Sequence, residues 1–251
     1  MNSFIPWIGG KRLLRKTIVS MFPEDFDRYI EVFGGAGWVL FAKDKHADLE
    51  VYNDAEGELV NLFRCVKYHA GEVQKELDNT LNAREFFEDY KQQLGTRGLT
   101  DIQRAARYFM LIKTSYGADK RTFGCIKKNL TNSIEYLKDI KERLNNVVIE
   151  NKDFENLIKV YDRPKALFYL DPPYHGTEKY YNTGFNEKDH ERLKECLKAI
   201  KGRFILSYND DEYIRELYKE FNITEIDRRN SLVERYADKD KNYKELIIKN
   251  F

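Results

Sequence analysis

The chain contains no apolar run approaching the roughly 18 residues of a membrane-spanning helix, so no helical anchor is expected. Its opening, Met1-Asn2-Ser3-Phe4-Ile5-Pro6-Trp7, has no basic region followed by an apolar core, so no secretory signal is expected either. Cysteine is scarce. Cys65, Cys125 and Cys196 are far apart and odd in number, which points to reduced thiols in a cytoplasmic protein rather than a disulfide framework. The four histidines, His46, His69, His175 and His190, show no paired ligand spacing, so neither a structural zinc nor any other metal is expected. A Gly-Lys-Ser/Thr ending is missing from the glycine-rich segment at 31–37, which disfavours ATP hydrolysis on a Walker loop. Internal repeats and low-complexity tracts are absent.

Net charge is also small, +1 over 251 residues, which by itself argues weakly against a nucleic-acid partner. The distribution is uneven, however. Between Arg97 and Lys128, eight basic residues face two acidic ones, a local excess of +6. Such a stretch is either a solvated face or an electrostatic footprint for a polyanion.

Seven short apolar or β-branched segments read as strands: 28–33, 49–53, 147–151, 166–170, 203–208, 223–227 and 244–250. Helical patterns lie at 11–22, 38–46, 187–200 and 211–221. Strand–helix alternation predicts an α/β fold with a mainly parallel sheet covered on both faces. The polar connection before the last strand predicts an antiparallel final pair. From residue 57 to 145 the alternation gives way to helix. Capping boxes are expected at Asn82–Glu85 and Thr100–Gln103, opening two of these helices, with a later helix at about 133–144. The reading is therefore a catalytic domain formed by 1–56 and 146–251, interrupted by a helical insertion at 57–145.

Asp171-Pro172-Pro173-Tyr174 follows directly on the apolar strand 166–170. A carboxylate at the C-terminal end of a buried parallel strand sits where open α/β sheets place their chemistry. Prolines stiffen the loop. The carboxylate and a neighbouring carbonyl offer two acceptors, and the tyrosine a flat face, which suits an exocyclic amino group on a planar base.

Three other strand ends carry chemistry. Glu31-Val-Phe33-Gly-Gly35-Ala-Gly37 is a turn in which glycines let backbone approach a ligand, or merely turn tightly. Asp54, after the second strand, is placed for ribose hydroxyls or as a helix N-cap. Asp153 could accept from an adenine amino group with Phe154 against the ring, or could cap the following helix. Near the N-terminus, Trp7 and Lys11 flank two glycines.

Taken in order, Trp-x-Gly-Gly-Lys, Phe-x-Gly-x-Gly, Asn-Asp, Asp-Phe and Asp-Pro-Pro-Tyr resemble the Dam-like DNA adenine-N6 methyltransferases (D12 class, alpha motif order). The likeness continues through Tyr180, Tyr181, Phe185, Asp189, His190 and Leu193, and is loose between 57 and 146. It implies a seven-stranded Rossmann-like sheet with a reversed last strand and S-adenosyl-L-methionine as cofactor. It implies cofactor contacts from Trp7, Lys11, Asp54 and Asp171, and a pocket shaped by Phe33, Gly35 and Gly37, with Asp153 and Phe154 alongside. The catalytic set would be Asp171, Pro172 and Tyr174, acting on an adenine flipped out of double-stranded DNA.

The insertion would then carry DNA through Lys113, Lys120, Arg121, Lys127 and Lys128, with Tyr116 and Phe123 as wedges. Arg228, Arg229 and Arg235 form a second basic set. The stretch Ser115–Gly124 differs from that of GATC-methylating members, so GATC is not expected as the target. A bacterial or phage-encoded restriction–modification enzyme fits, with a cognate endonuclease as candidate partner and a monomer or a dimer on DNA as its state. The alternatives are an inactive methyltransferase fold that binds DNA, a methyltransferase for cytosine N4, an RNA base or a protein amide, and a nicotinamide enzyme on a similar sheet.

Overall fold

The computed structural model describes residues 1–125, 130–178, 184–228 and 243–251, without the side chains of 227, 228 and 243. Lys127, Lys128, Tyr180, Tyr181, Arg229, Arg235 and the side chain of Arg228 lie outside the described set.

Seven strands form one sheet: β1 (Arg28–Glu31), β2 (Leu49–Asn53), β3 (Val147–Glu150), β4 (Ala166–Leu170), β5 (Arg203–Asn209), β6 (Asn222–Arg228) and β7 (Tyr243–Lys249). Their order is β3-β2-β1-β4-β5-β7-β6. Strands β1 to β5 pair in parallel, and β7 runs antiparallel to both β5 and β6. The expected reversed final strand is therefore present.

Side-chain alternation along the strands splits the core in two. Tyr29, Tyr52, Leu167, Tyr169 and Ile205 face one layer. Ile30, Val51, Phe168, Phe204 and Leu206 face the other. The first layer is covered by α1 (Arg15–Ser20) and by α2 (Gly57–Asp78), α3 (Arg84–Leu94), α4 (Asp101–Thr114), α5 (Thr131–Glu135) and α6 (Leu137–Leu144). The second is covered by α7 (Phe154–Tyr161), α8 (Glu187–Ala199) and α9 (Glu212–Leu217). Helices α2 to α6 occupy the connection between β2 and β3, and their buried residues join the same apolar layer as the sheet. No helix among the described residues is long and apolar enough to cross a membrane.

Three local expectations need correction. The helix expected at 38–46 is one 3-10 turn, Leu40–Ala42. Side chains take the carbonyls that would have continued it: His46 Nε2 donates to Val39 O and Leu40 O at 2.9 and 3.2 Å. Arg143 donates to Lys43 O and Leu40 O, both at 2.9 Å, while its guanidinium pairs with buried Glu50 at 2.7 Å. Burial holds the His46 imidazole down at about 4, so the ring is neutral in this role. The Asn82 capping box does not form: α3 starts one residue later, after Ala83, whose own N–H closes a turn on Leu81 O at 2.9 Å. The helix expected at 133–144 is divided at Tyr136, whose hydroxyl donates to Asn2 O at 2.9 Å. The Thr100–Gln103 capping box is present in full.

Candidate active site at the carboxyl edge of the sheet

The sheet order brings the chemistry together. β1 lies between β2 and β4, with Glu31 opposite Tyr52 and Tyr169 in register. The segments leaving β1, β2 and β4 are therefore the glycine turn, Asn53-Asp54 and Asp171-Pro172-Pro173-Tyr174, side by side. A cavity of about 460 Å³ opens over them, and its wall runs continuously from the glycine turn to the proline loop. This is the crevice outside the strand ends where open α/β sheets bind ligands.

The glycine turn is shaped by close approach. A Cβ on Gly34 would lie 2.2 Å from the Tyr52 ring. Gly35, at φ +49°, has Trp7 so near that a Cβ would meet the indole at 2.9 Å. Its N–H donates to Asp54 Oδ2 at 2.8 Å, and its carbonyl accepts from Tyr52 Oη at 2.7 Å. Gly37, at φ +67°, packs on Phe41 and closes the turn by donating to Gly34 O at 2.8 Å.

Asp54 also accepts the Glu56 N–H at 2.8 Å. Burial raises its carboxyl to about 6, against the pull of those two N–H donors. The helix N-cap expected of Asp54 does not form: α2 begins at Gly57, after Glu56 and without a side-chain cap, and the Asp54 carboxylate instead closes a turn ahead of it, while Asp54 also lines the cavity.

Lys11 reaches the proline loop from the N-terminal segment. Its ammonium donates to both oxygens of Asp171, at 2.6 and 2.8 Å, and to Gly9 O at 3.2 Å. It lies 4.9 Å from the Tyr174 ring centroid. Pro172 and Pro173 are buried, and Tyr174 tilts against Tyr208 with centroids 5.9 Å apart. Phe33, Phe154 and Phe185, which also line the cavity, form an aromatic cluster with centroids 5.7–6.0 Å apart.

Residues 7–232 match the family model described as D12 class N6 adenine-specific DNA methyltransferase. The chain belongs to this family. Over its full length it is 28 % identical to the type II methyltransferase M1.LlaDCHI of Lactococcus lactis subsp. cremoris, covering 96 % of that protein. It is 25 % identical to the type II methyltransferase M.CviBI of Paramecium bursaria Chlorella virus NC1A, with both chains fully covered. A DNA adenine methylase of Haemophilus influenzae is 22 % identical over 86 % of this chain and 82 % of its own.

In this methyltransferase ten of the eleven residues selected from the sequence for catalysis and cofactor, Trp7, Lys11, Phe33, Gly35, Asp54, Asp153, Phe154, Asp171, Pro172 and Tyr174, line one cavity. Gly37 stands behind the turn. Asp153 caps α7 through the Glu155 N–H at 3.1 Å and pairs with Arg192, Oδ2 to Nη2 at 2.8 Å. The Arg192 guanidinium lies over the Phe154 ring at 4.1 Å.

The residues assigned to the basic insertion separate. Tyr116 and Arg121 are exposed. Phe123 is half-buried, 5.7 Å from Phe87 and beneath Arg84. Lys113 is half-buried and donates to Ser133 Oγ at 3.1 Å. Lys120 turns inward, donating to Glu56 Oε1 at 2.6 Å and Tyr108 Oη at 2.9 Å.

Glu31, Arg192 and Glu56 also line the cavity, and sequence reasoning gave them no role. Glu31 is buried at the end of β1 and accepts the Tyr29 hydroxyl at 2.6 Å. Burial pushes its carboxyl up to about 8. A charged residue where a strand should read apolar was the available signal. Arg192 and Glu56 carried none, since the first is a charge on an ordinary helix and the second a charge in the turn ahead of α2. Among the described residues no group of three or more His, Cys, Asp or Glu could hold a metal ion.

Proposed function

We propose that the chain transfers a methyl group from S-adenosylmethionine to N6 of an adenine flipped out of double-stranded DNA. One observation carries this reading: the Asp171 carboxylate and the glycine turn share a single cavity, so a methyl donor and an extruded base could meet there.

The residues present fit the cofactor. The cavity suits a nucleoside-sized ligand. Gly35 brings bare backbone to its wall, aromatic side chains line it, and acidic groups offer acceptors for hydroxyl and amino groups and negative charge to face a sulfonium. Trp7, Phe33, Gly35, Asp54, Asp153 and Phe154 would hold the adenosine part, with Lys11 and Asp171 nearer the methionine end. When bound, S-adenosylmethionine supplies an electrophilic methyl group on sulfur.

The adenine N6 lone pair is delocalised into the ring, so the nitrogen is a weak nucleophile. Asp171 and the Pro172 carbonyl accept its two N–H groups and draw it toward tetrahedral geometry. Lys11 occupies one direction on each Asp171 oxygen and fixes the carboxylate plane, and a carboxylate has about four acceptor directions in all. Tyr174 stacks on the base. As the N6–methyl bond forms, the methyl–sulfur bond breaks with its electron pair left on sulfur, and one N6 proton then leaves to Asp171 or to water. Catalysis on this account is positioning and electrostatics.

Extrusion of the base costs a few kcal/mol, recovered through contacts to the duplex. Residues 57–145 would read DNA while 1–56 and 146–251 catalyse. Within that insertion Arg121 is the candidate for phosphate or base-edge contact, and Tyr116 the candidate wedge. The setting would be the cytoplasm, with an endonuclease of matching specificity as a candidate partner.

Modification-sensitive sequencing of DNA from methylation-deficient cells expressing the chain tests this. The expected product is N6-methyladenine in one sequence context. Methylation at cytosine N4, or unmodified DNA from a well-expressed folded protein, overturns it.

A further inference from the structure

Lys120 and Arg121 are adjacent in sequence and point to opposite places. The segment from Ser115 to Gly124 is a tight loop, closed by a bridge between Ser115 and Phe123 and by Tyr116 N–H to Thr122 O at 2.8 Å. Asp119 Oδ1 fastens its tip by accepting the N–H groups of Arg121 and Thr122 at 2.8 and 3.0 Å. Tyr116, 59 % exposed, and Arg121 are displayed outward.

Lys120 instead runs back into the wall of the cavity. Its ammonium lies 4.6 Å from the Trp7 ring centroid and 5.1 Å from that of Tyr108, while donating to Glu56 and to the Tyr108 hydroxyl. Tyr108 Oη also donates to the same Glu56 oxygen. Trp7 and Glu56 both line the cavity, and Glu56 immediately follows Asp54 and Ala55, which line it too. Trp7 in turn lies against Gly35.

The backbone is bent to achieve this. Lys120 sits at φ +61°, in the left-handed region that disfavours a residue with a side chain, as does Ala118 at +64°. Strain of this kind persists where surrounding contacts over-determine it, and it marks positions worth a functional hypothesis. The strained residue is the one whose side chain joins the outward loop to the cavity wall.

We propose that Lys120 is a positioning residue linking the two sites, so that a duplex engaging Tyr116 and Arg121 tightens cofactor binding through Lys120, Glu56 and Trp7, and cofactor tightens the duplex in return. The inference rests on the function proposed above. Engagement of the loop tip by DNA seats the ammonium against Trp7 and Glu56, and these form part of the cofactor's wall. Linkage requires the effect to be equal in both directions.

The test measures S-adenosylhomocysteine affinity by calorimetry, with and without a short duplex carrying the methylated sequence, and duplex affinity with and without S-adenosylhomocysteine. Wild-type protein is expected to show a ratio of about fivefold or more, the same in both directions. Lys120→Met should bring the ratio close to one, Lys120→Arg should retain most of it, and thermal unfolding should identify any unfolded variant. Glu56→Gln provides the second variant and should also lower the ratio. A packing role alone would weaken both ligands and leave the ratio intact. A wild-type ratio of one, or an unchanged ratio in folded Lys120→Met and Glu56→Gln, overturns the linkage. If adenine is methylated normally in that case, the linkage alone has failed; if wild-type protein neither binds S-adenosylhomocysteine nor methylates adenine, the functional reading falls with it.

Discussion

Lys11 and Asp171, 160 positions apart, meet with Nζ 2.6 and 2.8 Å from the two carboxylate oxygens. The lysine is almost wholly buried and the aspartate one-fifth exposed on the cavity side. The pair thus anchors the first segment of the chain to the loop leaving β4 and leaves the carboxylate facing the space where a base would sit. Asp171→Ala should lower methyl transfer by at least roughly 100-fold, as removal of a group acting on the reacting atoms does. S-adenosylhomocysteine binding should survive in the folded variant. Initial rates with tritiated cofactor measure the first, calorimetry the second, and near-normal rates would end the assignment.

Lys11→Met tests the other partner. Glu245 Oε2 lies 3.9 Å from the same ammonium, so removing it takes one cation from beside two carboxylates. Breaking a buried pair from one side costs on the order of 3 kcal/mol. A clear fall in Tm is expected, and an unchanged Tm would show that the pair orients Asp171 without supporting the fold.

Much of this site was legible because its residues are local punctuation. Asp171-Pro172-Pro173-Tyr174 and the glycines at 34, 35 and 37 each follow an apolar strand, so strand ends and loop chemistry could be read together. The Lys120 position was not legible. A lysine in a basic stretch reads as surface charge, and its capture by Glu56, 64 residues earlier, depends on how α4 packs against α2. The missing helix at 38–46 has the same origin, since its carbonyls are taken by His46 and by Arg143 about 100 positions away. The inward burial of Glu31 followed from strand parity, but its protonation depends on how completely Tyr29 and the neighbouring layer exclude water.

Gly35→Ala should be costly for two reasons that act together. The left-handed φ of +49° penalises a side chain by about 1–2 kcal/mol. The new methyl would also press on the Trp7 indole at 2.9 Å. A modest loss of Tm and roughly tenfold weaker S-adenosylhomocysteine binding are expected, by differential scanning fluorimetry and calorimetry. Binding equal to wild type would mean that the turn does not form the cofactor wall.

Arg121→Gln removes an exposed cation at the loop tip without touching the cavity. If Arg121 pairs with phosphate, duplex affinity should fall and the slope of log K against log salt should flatten by about 0.9. If it reads a base edge, discrimination at one position should relax by about 1–3 kcal/mol instead. Fluorescence anisotropy across a salt series separates these outcomes, and an unaltered affinity and slope would remove Arg121 from the interface.

Glu31 makes stability depend on pH in a direction opposite to that of a salt-bridged carboxylate. Burial raises its carboxyl from the ordinary 4.5 to about 8. Between those values the folded chain keeps a proton that the unfolded chain has released. Stability therefore falls as pH rises through this window, and the penalty is complete above about 8. Glu31→Gln keeps an acceptor for the Tyr29 hydroxyl and cannot ionise. Its Tm should match wild type near pH 5 and exceed it near pH 9, with a gap of a few kcal/mol in unfolding free energy. Parallel Tm curves from pH 5 to pH 9 would mean that Glu31 is ionised in the fold and that its charge is balanced from within the cavity wall.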